Sequence, residues 1–66
     1  MIIKINGKDE SVDKPVNLME LVSAKGLVPE HIVIEHNFRI ISKDEWRGIT
    51  LKENDNVEIV SFVAGG

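Results

Sequence analysis

Only one stretch of this sequence carries the apolar period of a helix, and it is too short to stand alone. Leu18, Leu21 and Val22 recur at i, i+3 and i+4. Asn17 stands before them as an N-cap, with Glu20 three residues on at the capping-box spacing. Gly26 takes the position after the C-cap, Lys25 lies in the last turn, and Pro29 blocks continuation. The expected helix is Leu18 to Lys25. Two helical turns are unstable in water by themselves, so the stripe must lie on a sheet. A chain of 66 residues has room for one domain and one thin core, because it buries only about 60% of its unfolded surface.

The sheet is legible on both sides of the helix. Met1 to Asn6 alternates, with Ile3 and Ile5 on one face and Lys4 and Asn6 on the other. Asn6-Gly7 is a hairpin turn pair, since a type I′ turn needs positive φ at both central residues. The return strand, Lys8 to Val12, is polar and suits a short sheet edge. Ile32 to His36 is a β-branched strand, Asn37 turns the chain, and Arg39-Ile40-Ile41 follows as its partner. Ser42, with Glu45 at the capping-box spacing, starts a single turn through Trp46, whose indole is expected to be a partly buried anchor. Thr50-Leu51 is short and extended. Glu53 to Asn56 reads as a solvated polar turn, and Val57 to Val60 is the last strand, with Val57 and Ile59 inward.

The expected core is Ile3, Ile5, Leu18, Leu21, Val22, Ile34, Leu51, Val57 and Ile59. A hairpin, a helix and a returning sheet fit an α+β layer of helix on sheet. If the last strand lies parallel to the first, the chain between them supplies the long crossover such pairing needs. This is the β-grasp arrangement: a mixed four- to five-stranded sheet packed on one main helix. The expected division is a β-grasp domain over 1–60 and a flexible Gly-Gly tail over 61–66.

Composition excludes several functions. The net charge of −3 argues against nucleic acid, which calls for a basic stripe. With no cysteine there is no disulfide frame and no thiolate zinc site. No apolar run approaches the roughly 20 residues of a membrane span and no signal-peptide pattern opens the chain, so the cytoplasm is the expected compartment. His31 and His36 fall on opposite faces by strand parity and lack a third ligand, so no metal site is expected. The acids of the turns are read as solvated, and a catalytic carboxylate needs burial to raise its pKa. No nucleophile elbow, P-loop or glycine-rich dinucleotide motif is present. No catalytic residue is expected.

What stands out is the end: Val60-Ser61-Phe62-Val63-Ala64-Gly65-Gly66. A strand runs without a linker into large apolar residues and then two glycines. Glycine suits a backbone that must pass close to something else, and an α-carboxyl titrates at about 3.3–3.7, so the terminal carboxylate is ionised at neutral pH. Phe62 shares its parity with Glu58 and Val60, away from the core, so Val60 and Phe62 form a candidate docking patch.

The stretches Asn37 to Trp46, Leu51 to Val60 and Phe62 to Gly66 resemble the ThiS family, sulfur carriers of thiamine thiazole synthesis, over essentially the whole chain. Ala64 stands where many such chains have a third glycine, and Phe38 where glycine often follows the turn asparagine. The resemblance implies a ubiquitin-like β-grasp protein that binds no cofactor and is itself no enzyme. It implies a ThiF-like adenylyltransferase, similar to the ubiquitin-activating class, that spends ATP on the Gly66 carboxylate. A persulfide donor then supplies sulfur to make a thiocarboxylate, and a thiazole synthase receives it. Val63, Ala64 and Gly65 would thread the partner's channel, and Val60 and Phe62 would dock. Neither a nucleic acid nor a membrane is an implied partner, and the chain alone is expected to be a monomer. A carrier for another pathway (molybdopterin-like), a ubiquitin-like covalent modifier and a noncovalent β-grasp module are the competing readings.

Overall fold

Two asparagine-led turns shape the sheet. In the computed structural model, which describes residues 1–62, Asn6 and Gly7 have φ of +51° and +82°. They join strand β1 (Ile2–Ile5) to strand β2 (Lys8–Ser11) in an antiparallel pair with Ile5 opposite Lys8. Asn37 and Phe38, at +50° and +71°, join β3 (Ile32–His36) to β4 (Arg39–Ile41) in the same way, with His36 opposite Arg39. Between the hairpins lies helix α1 (Leu18–Ala24). A last strand, β5 (Asn56–Ser61), completes a five-stranded sheet in the order β2-β1-β5-β3-β4. Strand β5 runs parallel to β1 and antiparallel to β3. This is the expected β-grasp, with five strands and a polar edge strand in β2.

The helix is capped at both ends by the residues that predict it. The Glu20 N–H donates to Asn17 Oδ1 and the Asn17 N–H to Glu20 Oε1, both at 2.8 Å. At the other end Gly26 has φ +69°, its N–H donates to the Ser23 carbonyl, and the Leu27 N–H donates to the Val22 carbonyl. Those two bonds form a Schellman motif, which satisfies carbonyls that the helix leaves open. Lys25 is the C-cap, one residue beyond the helix.

Leu18, Leu21 and Val22 bury their stripe against Ile3, Ile5, Ile34, Leu51 and Val57, all fully or nearly excluded from water. Ile32, Ile41 and Trp46 join them. Ile59 does not: it is half-buried and lines a shallow groove with Ile5, Leu27 and Ile32. The seven-residue helix ends too soon to cover that end of the sheet.

Trp46 is completely buried, a correction to its expected half-exposure. It sits in a 3₁₀ segment (Lys43–Gly48) longer than the expected single turn, and its Nε1–H donates to the Ile41 carbonyl at 3.1 Å. This segment forms a lid that packs against α1. Ser42 makes no side-chain cap bond to the backbone there; its hydroxyl meets Glu45 Oε1 at 3.2 Å instead. His31 also departs from expectation. It ends a 3₁₀ turn (Pro29–His31) ahead of β3, so strand parity does not apply to it.

Trp46→Phe should cost about 1–3 kcal/mol, because the buried Ile41 carbonyl loses its donor and the smaller ring leaves space. Urea unfolding followed by circular dichroism measures this, and an unchanged midpoint would contradict the packing described.

Candidate functional site

Strand β5 is the element that sets where the last residues go. It lies mid-sheet, bonded along β1 on one edge and β3 on the other. Two side chains extend those ladders. Asn6, at the tip of the first hairpin, accepts from the Ile59 N–H at 2.7 Å and donates to the Ile59 carbonyl at 3.2 Å. Its amide does for β5 what another residue of β1 would do. Asn37, at the tip of the second hairpin, accepts from the Asn56 N–H at 2.9 Å, while its own N–H donates to the Asn56 carbonyl. The strand runs through Ser61, one residue past the expected boundary, and the Phe62 N–H still donates to the His31 carbonyl at 3.0 Å. Val63, Ala64, Gly65 and Gly66 of the expected tail lie outside the described residues.

The outward sheet face carries the predicted patch. Val60 is 57% and Phe62 61% exposed. Val60 stands opposite Val33 on β3, and Ile40 on β4, 72% exposed, stands opposite Glu35. Val33 and Ile40 escaped the sequence reading because it followed the inward set of each strand. The parity of Arg39-Ile40-Ile41 already turns Ile40 outward once Ile41 is buried.

At the start of β5 sits a polar node that the sequence reading misplaced. Asp55 was expected in a solvated turn; it is 8% exposed. Its carboxylate accepts from His36 Nε2 and from the Lys52 N–H, both at 2.9 Å, and from Asn37 Nδ2 at 3.1 Å. Its own carbonyl accepts from the Lys4 N–H at 2.9 Å. One residue thus ties β1, the β3–β4 turn and the loop before β5. Burial by itself raises the Asp55 pKa, but the bonds from His36, Lys52 and Asn37 together outweigh it and hold the carboxyl below its usual range. Asp55 and His36 are committed to each other and to the backbone, which is a fastening rather than a catalytic pair. Among the described residues no group of three potential ligands could hold a metal, and no helix is long and apolar enough to cross a membrane.

The model of the ThiS family matches residues 3–66. The chain belongs to the ThiS family. Among ThiS-family relatives, the sulfur carrier protein ThiS of Bacillus subtilis is 32% identical over 66 residues, covering 98% of this chain and all of that one. The crystal structure of a thiamine biosynthesis protein (ThiS) from Geobacter metallireducens superposes with a TM-score of 0.86, at 32% identity over the full length of both chains. A thiazole synthase of Magnetococcus marinus is 30% identical over 66 residues, and this ThiS-family chain spans only 20% of its length.

The Asp55 node gives a pH test. A carboxyl whose folded pKa is depressed contributes stability that is present above its unfolded value, about 3.9, and is lost as pH falls through the folded value. Asp55→Asn should therefore cost about 1–3 kcal/mol at pH 7. The gap to wild type should narrow below about pH 4. Urea midpoints across that range measure it, and a pH-independent gap would count against the charged node.

Proposed function

We propose that this chain is a sulfur carrier in thiamine biosynthesis, a protein acted on by enzymes rather than an enzyme itself. The observation that carries the reading is the placing of β5. The fold holds the chain's last strand in the middle of its sheet and bonds it as far as Phe62, and the sequence then runs on as Val63-Ala64-Gly65-Gly66. Family membership and the full-length likeness to the Bacillus subtilis carrier support it.

In this reading the Gly66 carboxylate is the reacting group. A carboxylate is a poor electrophile, so an adenylyltransferase first lets its oxygen attack the α-phosphate of ATP, releasing pyrophosphate. A persulfide sulfur then displaces AMP from the acyl carbon. A thiol cleaves the resulting acyl disulfide and leaves the thiocarboxylate on Gly66. That sulfur is the better nucleophile, and it passes to a thiazole synthase. The matches to thiazole synthases of Magnetococcus marinus and Paramagnetospirillum magneticum, each over 20% of the enzyme's length, support that partner. Gly65 and Gly66 give the backbone clearance that a closely fitting channel demands, with Ala64 and Val63 behind them. Val60 and Phe62 dock the domain at the channel mouth. ATP enters through the activating enzyme and not as a cofactor of this chain. Such chemistry places the carrier in the cytoplasm.

Incubation with ATP, the adenylyltransferase and a persulfide source should add to the intact protein the mass difference of one oxygen-to-sulfur exchange. Removing Gly66 should abolish that gain. An unchanged mass for the wild-type chain would overturn the reading.

A further inference from the structure

The two hairpins are built alike except at one position. Each turn places an asparagine and then a second residue at positive φ; in the first that residue is Gly7, at +82°, and in the second it is Phe38, at +71°. Glycine adopts this region freely, whereas a bulky side chain there is a steric outlier. Phe38 gains nothing from the core in return, because it is 81% exposed, the most exposed of the large apolar side chains described. A strained backbone beneath an exposed aromatic ring points to a role outside the fold.

The surroundings say what the ring meets. Two residues along β4, Ile40 stands outward, level with Glu35, and Glu35 stands directly opposite Glu58 on β5. Like charges directly opposed across two strands repel. Neither carboxylate has a cation within ion-pair reach among the described residues, where Lys4, Lys25 and Lys43 pair instead with Asp9, Glu10 and Glu30. The row therefore presents apolar side chains beside an uncompensated acidic pair. Phe38 lies beyond His36, opposite Val57 at the start of β5, whereas Phe62 lies past the strand's other end. A partner that grips both rings spans the length of the sheet and fixes the domain's rotation about the axis along which its last residues leave.

We propose that Phe38 is a docking anchor for the adenylating enzyme, received by an apolar pocket whose bordering Arg or Lys sits between Glu35 and Glu58. This rests on the carrier reading above. An enzyme that binds a triphosphate carries a positive field around its nucleotide site, and that field steers an acidic face toward it.

The test is carrier-dependent ATP–pyrophosphate exchange by the adenylating enzyme of the same organism, alongside thermal unfolding of the carrier. Phe38→Gly should raise Tm by a few degrees as the turn relaxes. It should also raise the KM for the carrier about tenfold with kcat retained. Phe38→Asn, which also tolerates positive φ, should behave alike. Exchange with the wild-type carrier should weaken as salt is raised, and Glu35→Gln with Glu58→Gln should flatten that dependence. A retained KM in both Phe38 variants, or a fall in Tm in both, overturns the anchor. An exchange rate indifferent to salt overturns the basic border. A loss confined to binding by the thiazole synthase overturns the assignment to the adenylating enzyme. No exchange with the wild-type carrier instead sinks the carrier reading, and this inference with it.

Discussion

The seat of β5 between β1 and β3 is the constraint on which the rest depends. Parallel pairing with β1 cannot be made by a tight turn; it needs a crossover, and here nearly the whole chain serves as one. The helix, the second hairpin and the Trp46 lid all lie between the two paired strands in sequence. Closing that pairing sets the second hairpin beside β5 within the sheet and lays the helix and the Trp46 lid on one face. Register follows, because Val57 must fall beside Ile5 and opposite His36 for its side chain to enter the core. The amides of Asn6 and Asn37 then hold β5 where the ladders of short strands end. With only four residues in β1 and β2, side chains have to supply what longer strands would.

Asp55 shows how a small domain fastens a loop without a second core. The loop before β5 must stop running along the surface and enter the middle of the sheet. An apolar side chain at that corner would leave the Lys52 N–H without its acceptor, although the backbone carbonyl would still accept from Lys4. A carboxylate and its carbonyl satisfy both and add His36 and Asn37. Buried acceptors of this kind hold when all their bonds are made, and no buried side-chain polar atom among the described residues lacks a partner. The arrangement commits to structure the one buried carboxylate among the described residues.

Local rules made most of this fold legible. Asn17, Glu20 and Gly26 bounded the helix to within a residue, Asn6-Gly7 placed the first hairpin, and the helix stripe and strand patterning together found eight of the nine expected core residues buried. The misses share a cause: each turns on a contact far away in sequence. Asp55 looks like any turn acid until His36 and Asn37, 19 and 18 residues earlier, close on it. Ile59 has the right parity, but its burial depends on where the helix stops. Trp46 is sealed only because the 3₁₀ segment folds across the side of the core. The outward patch was half-visible: Val60 and Phe62 follow from parity along one strand, whereas their neighbours Val33 and Ile40 need the strand order. The family resemblance marks Phe38 as standing in a glycine's place, and only its positive φ turns that departure into a physical statement.

The outer face and the inner face obey opposite logic, and that contrast separates the handle from the fold. Inside, the core side chains are enclosed, and among the described residues no buried side-chain polar atom lacks a partner. Outside, Ile40, Val60 and Phe62 remain wet, Glu35 faces Glu58, and Phe38 holds a backbone geometry that glycine would hold more easily. The positive φ at Phe38 and the opposition of Glu35 and Glu58 each cost stability, and a chain of this size has little to spare. Substitutions that would relieve them, such as glycine in the turn or a lysine opposite an acid, need no rearrangement of the core. On the docking reading the repulsion between Glu35 and Glu58 is offset when a cation of the partner comes between them, whereas the turn keeps its positive φ and with it the outward Phe38 ring.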